Sequence, residues 1–171
     1  MAITIRLRDP MFGQHNELTV GQFLARREPT LLFDLRGGAS DDPAIPGARE
    51  IYILDLMDNI RPFQERHDAE LQSRPVLLFC RHGGGSAEAR KQFRRRYRVQ
   101  SLVGGMVAYL ETITRLLALH PYADPARRDE TMRRMLLALT DRQTSFNNFR
   151  KIVDHLLACS TDPEVRRWTA P

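Results

Sequence analysis

Cys80 closes an apolar run, PVLLF (residues 75–79), and is followed by Arg81, His82, three glycines (Gly83, Gly84 and Gly85) and Ser86, where a helical pattern begins. Glycine loses more backbone freedom on folding than any other residue. Three in a row beside a thiol therefore point to a backbone that must curl closely around something. Successive N–H groups in such a loop form a nest for an anion, and the positive end of the next helix adds to it. The anion is either an external ligand or the cysteine's own thiolate. Thiols at helix N-termini or beside basic groups have pKa values of roughly 3.5–7.5, and the thiolate is the reactive form. Cys80 is thus a candidate nucleophile. The plainer alternative, an inert cysteine ending a strand, gives no reason for the glycines.

The side chains around it carry two readings each. Arg81 either steers anions toward the loop or pairs at the surface, and His82 either donates to substrate oxygens or serves only as a turn residue. Asp34 and Arg36, at the end of TLLFDLR (residues 30–36), either shape the mouth of a pocket or fix the turn before Pro46. The second cysteine, Cys159, falls near the end of a helical pattern, where a half-buried cysteine is common. Two cysteines make no disulfide framework, and neither stands in a CxxC or Cys/His cluster of recognised metal spacing, so no metal is expected.

Strands and helices must alternate to hold this loop. ITIRL (3–7) reads as a strand, and Thr19 caps a short helix carrying Val20, Phe23 and Leu24. TLLFDLR is a continuous apolar run of the kind that forms a buried parallel strand. GGASDDPAIPGA is a turn-rich loop with Pro43 and Pro46 as breakers. EIYIL (50–54) returns as a strand, and residues 55–72 form two short surface helices broken near Pro62. PVLLF is the next strand, with a helix over 86–97 after the glycines. VQSLV (99–103) is a further strand, and GGMVAYLETITRLLAL (104–119) a helix opened by Gly104 and Gly105. The order predicts an α/β sandwich with a mostly parallel central sheet flanked by helices. Ligands bind such sheets at the carboxyl ends of the strands, which is where Cys80 stands.

At 171 residues and 42% hydrophobic, the chain supports one well-cored unit, read as an α/β domain over 1–120 with a helical extension over 121–171. In that extension Asp124 and Pro125 start a helix bearing Met132, Met135, Leu136 and Leu139. Thr144 or Ser145 caps a second, with Phe146, Phe149, Ile152, Val153, Leu156 and Leu157 as an apolar stripe. Such a hairpin either packs on the core or forms a homodimer or partner interface. The net charge is +5, almost all of it from arginine, densest in RKQFRRRYR (90–98). Ala89, Phe93 and Tyr97 give that segment an apolar edge, so it reads as a solvated helix face. The alternative is a docking surface for RNA or an acidic protein, but no nucleic-acid motif accompanies it, and nucleic acid is not expected as a partner. No apolar stretch has signal-peptide or membrane-spanning length, which predicts a cytoplasmic protein without a membrane partner.

Four segments together resemble a rhodanese domain, the sulfurtransferase family that carries sulfur as a cysteine persulfide. They are LLFDLRGG, ending in Asp34 and Arg36; AIPGAREI, with Ile45, Pro46, Gly47 and Ala48; LLFCRHGGGSAEA around Cys80; and SLVGGMVAYLE, all within residues 17–115 in the family's order. The resemblance implies a rhodanese-like sandwich and a double displacement. The Cys80 thiolate takes the outer sulfur of a small anionic donor such as thiosulfate, releases sulfite, and passes the sulfur to cyanide, a small thiol or a protein cysteine. It implies an anion-binding loop from Arg81 to Ser86 and no cofactor beyond the covalent persulfide. If Cys159 folded over this loop it would resolve that persulfide.

The chain departs from the family at Gly85, where many members carry Arg or Lys, at Pro43 and Ala44, where a Gly-His pair is usual, and at Arg90, where small residues are usual. Cysteine phosphatases and arsenate reductases, the nearest competing chemistry, need an arginine six positions after the cysteine to hold a tetrahedral anion. Ser86 stands there. The other alternative is a rhodanese-like binding or regulatory module with weak or no turnover that uses its C-terminal helices for a partner.

Overall fold

A computed structural model describes residues 16–37 and 42–169. The strand expected over 3–7, and part of the GGASDD loop, lie outside the described residues. Among the described residues five parallel strands form the sheet: β1 (Glu17–Leu18), β2 (Leu31–Asp34), β3 (Arg49–Glu50), β4 (Val76–Phe79) and β5 (Val99–Leu102). Their order is β1-β5-β4-β2-β3, which puts β4 in the centre. Leu31 to Asp34 pair with Val76 to Phe79, and Val76 to Leu78 pair with Val99 to Ser101. Every residue of β2 and β4 is buried, as the continuous apolar runs required.

The period-2 alternation of these strands divides the interior in two. Leu31, Phe33, Val76, Leu78 and Val99 face one side, under α2 (Ile53–Asp58), α3 (Ile60–Arg66), α4 (Asp68–Ser73) and α5 (Gly84–Lys91). Leu32, Leu77, Phe79 and Leu102 face the other, under α1 (Val20–Ala25) and α6 (Gly105–Ala118). Thr19 caps α1 through a capping box with Gln22.

Residues 121–169 continue that second cluster. A 3-10 turn (Pro125–Arg127, capped by Asp124) leads into α7 (Arg128–Thr140), and Ser145 caps α8 (Phe146–Cys159). Leu139, Phe149, Val153, Leu156 and Leu157 are buried in one cluster with Tyr109, Ile113 and Leu117 of α6. The Tyr109 hydroxyl, inside the core, donates to the Leu139 carbonyl at 2.6 Å. A short helix that the periodicity did not reveal, α9 (Pro163–Trp168), is capped by Asp162 and lays the Trp168 indole on Gly21 of α1.

Three expected elements differ in extent. EIYIL contributes only Glu50 to a strand, and α2 begins at Ile53. Ile51 and Ile53 still pack inward while Tyr52 and Leu54 are exposed, an alternation that a strand and a strand-to-helix entry share. Residues 53–73 form three helices, broken at Asn59 and His67 rather than at Pro62. Pro62 sits in the first turn of α3, where its missing N–H has no intrahelical acceptor to lose.

The helix after the glycines stops at Lys91 rather than reaching residue 97. The side chain of buried Gln64 causes this. Its amide donates to the Gln92 carbonyl at 3.3 Å and its oxygen accepts from the Arg94 N–H at 2.9 Å, replacing the bonds of a further helical turn. Phe93 and Tyr97 are buried nonetheless, in the turns that follow. Three of the five arginines of this stretch face acidic partners: Arg94 pairs with Glu65 at 3.3 Å, Arg98 with Glu28 at 2.8 Å, and Arg96 with Asp68.

Candidate active site

Cys80 leaves the carboxyl end of the central strand and its thiol lies at the N-terminus of α5. The Gly83 N–H donates to Sγ at 3.2 Å and the Ser86 N–H at 3.4 Å. The Ser86 hydroxyl, inside the protein, is 3.6 Å from Sγ and donates to the Gly83 carbonyl at 2.9 Å. Half-burial raises the thiol's pKa. Hydrogen bonding with the Ser86 N–H and hydroxyl, and with the Gly83 and His82 N–H groups, outweighs it and holds the thiol below its ordinary value. The loop thus forms a cradle of backbone donors whose innermost occupant is the cysteine sulfur itself.

The three glycines differ in how far the site needs a bare backbone. Gly83 caps α5 at φ +90°, and a Cβ there would meet the Gly104 nitrogen at 2.9 Å and the Leu102 carbonyl at 3.0 Å. A Cβ on Gly84 would meet nothing within 4 Å, and one on Gly85 would lie 3.7 Å from the Cys80 sulfur and 2.8 Å from Cδ1 of Ile53. The side chains of Arg81 and His82 are exposed and make no hydrogen bond or ion pair among the described residues. They flank the cradle without closing it.

Residues 19–112, more than half of the 171-residue chain, match the family model of the Rhodanese-like domain. The chain belongs to the rhodanese-like domain family. Solved structures similar to it include the BH2092 protein from Bacillus halodurans, 16% identical with a TM-score of 0.46, the match covering 56% of this chain and 72% of that one. Another is Ygr203w of Saccharomyces cerevisiae, described as a homolog of single-domain rhodanese and the Cdc25 phosphatase catalytic domain. It is 16% identical with a TM-score of 0.45, over 58% of this chain and 82% of that one. No curated protein matches.

The rhodanese-like segments converge on the loop from behind. The Met106 N–H donates to the Cys80 carbonyl at 2.9 Å and the Val107 N–H to the Arg81 carbonyl at 3.1 Å, so the first turn of α6 holds the loop's own carbonyls. This contact needs bare backbone at Gly105, φ +58°. From the sequence Gly104 and Gly105 read as the opening of a helix, within the segment SLVGGMVAYLE that resembles the family. Their adjacency to the Cys80 loop is tertiary, and the one signal for it was a second glycine pair directly after a neighbouring strand.

Asp34 and Arg36 form a two-point pair. Arg36 Nε donates to Asp34 Oδ1 at 2.9 Å and its terminal nitrogen to Oδ2 at 2.6 Å, while the Arg36 N–H also donates to Oδ1 at 3.1 Å. The guanidinium also donates to the Pro43 carbonyl at 2.7 Å. Its pKa is raised, chiefly by the hydrogen bonds to Asp34. Their contacts tie the strand end to the loop before Pro46 and do not reach the Cys80 sulfur. The Leu35 N–H bonds the Phe79 carbonyl at 2.8 Å, so the pair acts on the neighbouring strand end. Cys159 belongs to a different cluster, 3.8 Å from His155.

Proposed function

We propose that this protein is a sulfurtransferase that carries a sulfane sulfur as a persulfide on Cys80. The observation that supports it most is the convergence of the Gly83 and Ser86 N–H groups on the Cys80 sulfur, with that thiol's pKa lowered. The thiolate attacks the outer sulfur of an anionic donor such as thiosulfate. A Cys80 sulfur–sulfur bond forms, the donor's own sulfur–sulfur bond breaks, and sulfite leaves with the electron pair. A second nucleophile, whether cyanide, a small thiol or a protein cysteine, then attacks the outer sulfur and returns the thiolate. Covalent storage divides one difficult transfer into two easier ones. The same backbone donors serve the thiolate, the incoming donor and the persulfide, which is why a loop without side chains suits the chemistry. No cofactor is required. The reading places the protein in the cytoplasm, where thiols are kept reduced.

Gly85 favours a second reading. Where many family members carry a cation, Ile53 closes the space with an apolar side chain. A rhodanese-like module with weak turnover, acting on a partner protein, suits such a loop. Steady-state assays with thiosulfate and cyanide, following thiocyanate, decide between them. A sulfurtransferase turns over and loses all turnover in Cys80→Ala. Turnover equal in both proteins would reject Cys80 as the carrier, and none in either would favour the module.

A further inference from the structure

Away from the Cys80 loop, three metal-ligating side chains meet where α8 ends beside the turn that follows α6. His155 and Cys159 lie four residues apart on one face of α8, with His155 Nδ1 at 3.8 Å from Cys159 Sγ. His120 comes from the turn after α6, its ring centroid 4.9 Å from that of His155. One donor atom from each of the three falls within 4.8 Å of the others, and they are the one such cluster of ligating residues found among the described residues. His120 Nδ1 is buried without a hydrogen-bond partner, a cost that a bound ion would remove. The ring is steadied by Tyr122, edge-on at 4.8 Å, whose hydroxyl donates to the Leu117 carbonyl at 2.8 Å. A hollow of about 310 Å³, also lined by Met135, opens alongside.

We propose that His120, His155 and Cys159 bind one divalent transition-metal ion of the zinc class. With Zn–S of about 2.3 Å and Zn–N of about 2.0–2.1 Å, a tetrahedral site separates its N and S ligands by roughly 3.6 Å. The His155 to Cys159 distance is within a few tenths of an ångström of that, and His120, whose donor atom lies within 4.8 Å of the other two, closes the set by a ring movement of up to about 1.5 Å. Two imidazoles and a thiolate suit a borderline-soft ion. The fourth position is left to water from the hollow. Binding converts the Cys159 thiol to a metal thiolate and releases its proton to solvent. The ion would tie the turn after α6 to the last turn of α8, cross-linking residues 121–159 to the α/β core. Sequence spacing alone conceals the site because His120 lies outside the helix that holds the other two.

Chelator-dialysed full-length protein titrated with Zn²⁺, and with Co²⁺ as the spectroscopic probe, tests the proposal. The expected result is one equivalent bound, a thiolate-to-cobalt charge-transfer band, and a higher Tm with Zn²⁺. Cys80→Ala keeps all three. Cys159→Ser loses the charge-transfer band, and His155→Ala, at an exposed position, weakens binding by more than the roughly 10–100-fold that loss of an outer-shell partner costs. Circular dichroism of both variants checks that they remain folded. Absence of stoichiometric binding by the dialysed protein would overturn the proposal. So would a charge-transfer band that survives Cys159→Ser and disappears in Cys80→Ala, which would move the metal to the other thiol.

Discussion

Gly105 lies against the carbonyl oxygen of Cys80 so closely that a methyl group on it would sit 2.2 Å from that oxygen and 2.8 Å from both the Arg81 carbonyl and the Gly83 nitrogen. The first turn of α6 and the Cys80 loop thus position each other through backbone alone. Gly105→Ala must move the loop, and its φ of +58° adds strain of about 1–3 kcal/mol. Thermal unfolding will show a lower Tm, and sulfur transfer will fall by about 100-fold, the scale expected when a reacting group shifts by an ångström. Gly84→Ala is the contrast. With open space around it in a helix, it will raise stability by about 0.4–1 kcal/mol.

Ser86→Ala removes a hydroxyl that lowers the Cys80 pKa. Alkylation of Cys80 follows the thiolate, so its rate rises with pH and levels off above the folded pKa. In the native protein the midpoint of that rise will lie below the ordinary thiol value. In Ser86→Ala it will move upward, slowing alkylation at neutral pH while leaving the high-pH plateau unchanged. A midpoint that stays in place would remove the hydroxyl from the electrostatics of the site.

Asp34→Ala leaves the Arg36 guanidinium, only 15% exposed, without its carboxylate. Breaking such a pair from one side costs about 3–5 kcal/mol. Arg36→Lys, which keeps the charge but not the two-point geometry, will lose less. Denaturant unfolding of both variants measures the difference. Because neither side chain touches the sulfur, the Cys80 alkylation midpoint will remain unchanged in whatever fraction stays folded.

Phe149 of α8 is buried against Phe23 of α1, ring centroids 6.3 Å apart. Phe149→Ala will cost about 3–5 kcal/mol. The loss will appear in a single transition that includes the sheet, because α8 and α6 share one cluster. A separate early transition confined to the C-terminal helices would show that they unfold on their own.

Much of this was legible in the sequence. The buried strands β2 and β4 announced themselves as apolar runs, Thr19 as a cap and Thr144 or Ser145 as another, of which Ser145 is the one used, and the cysteine with its glycines as a loop that curls its N–H groups inward. Three features were hidden because their causes lie far away in the chain. The helix after the glycines ends where Gln64 takes over its backbone bonds, nearly thirty residues from the Gln92 carbonyl it binds. Gly105 faces Cys80 only once β4 and β5 are paired. His120 meets His155 only when α8 packs on α6. Short edge elements such as β1, two residues long, carry no periodicity to read.

Persulfide formation on Cys80 is tested most simply by the intact mass of the protein after incubation with thiosulfate, beside Cys80→Ala and a dithiothreitol-treated sample. Sulfur transfer through Cys80 predicts a gain of one sulfur atom, mapped to the Cys80 peptide, removed by dithiothreitol and absent from the variant. A folded protein that gains no sulfur from thiosulfate, or that gains it equally in Cys80→Ala, would contradict it.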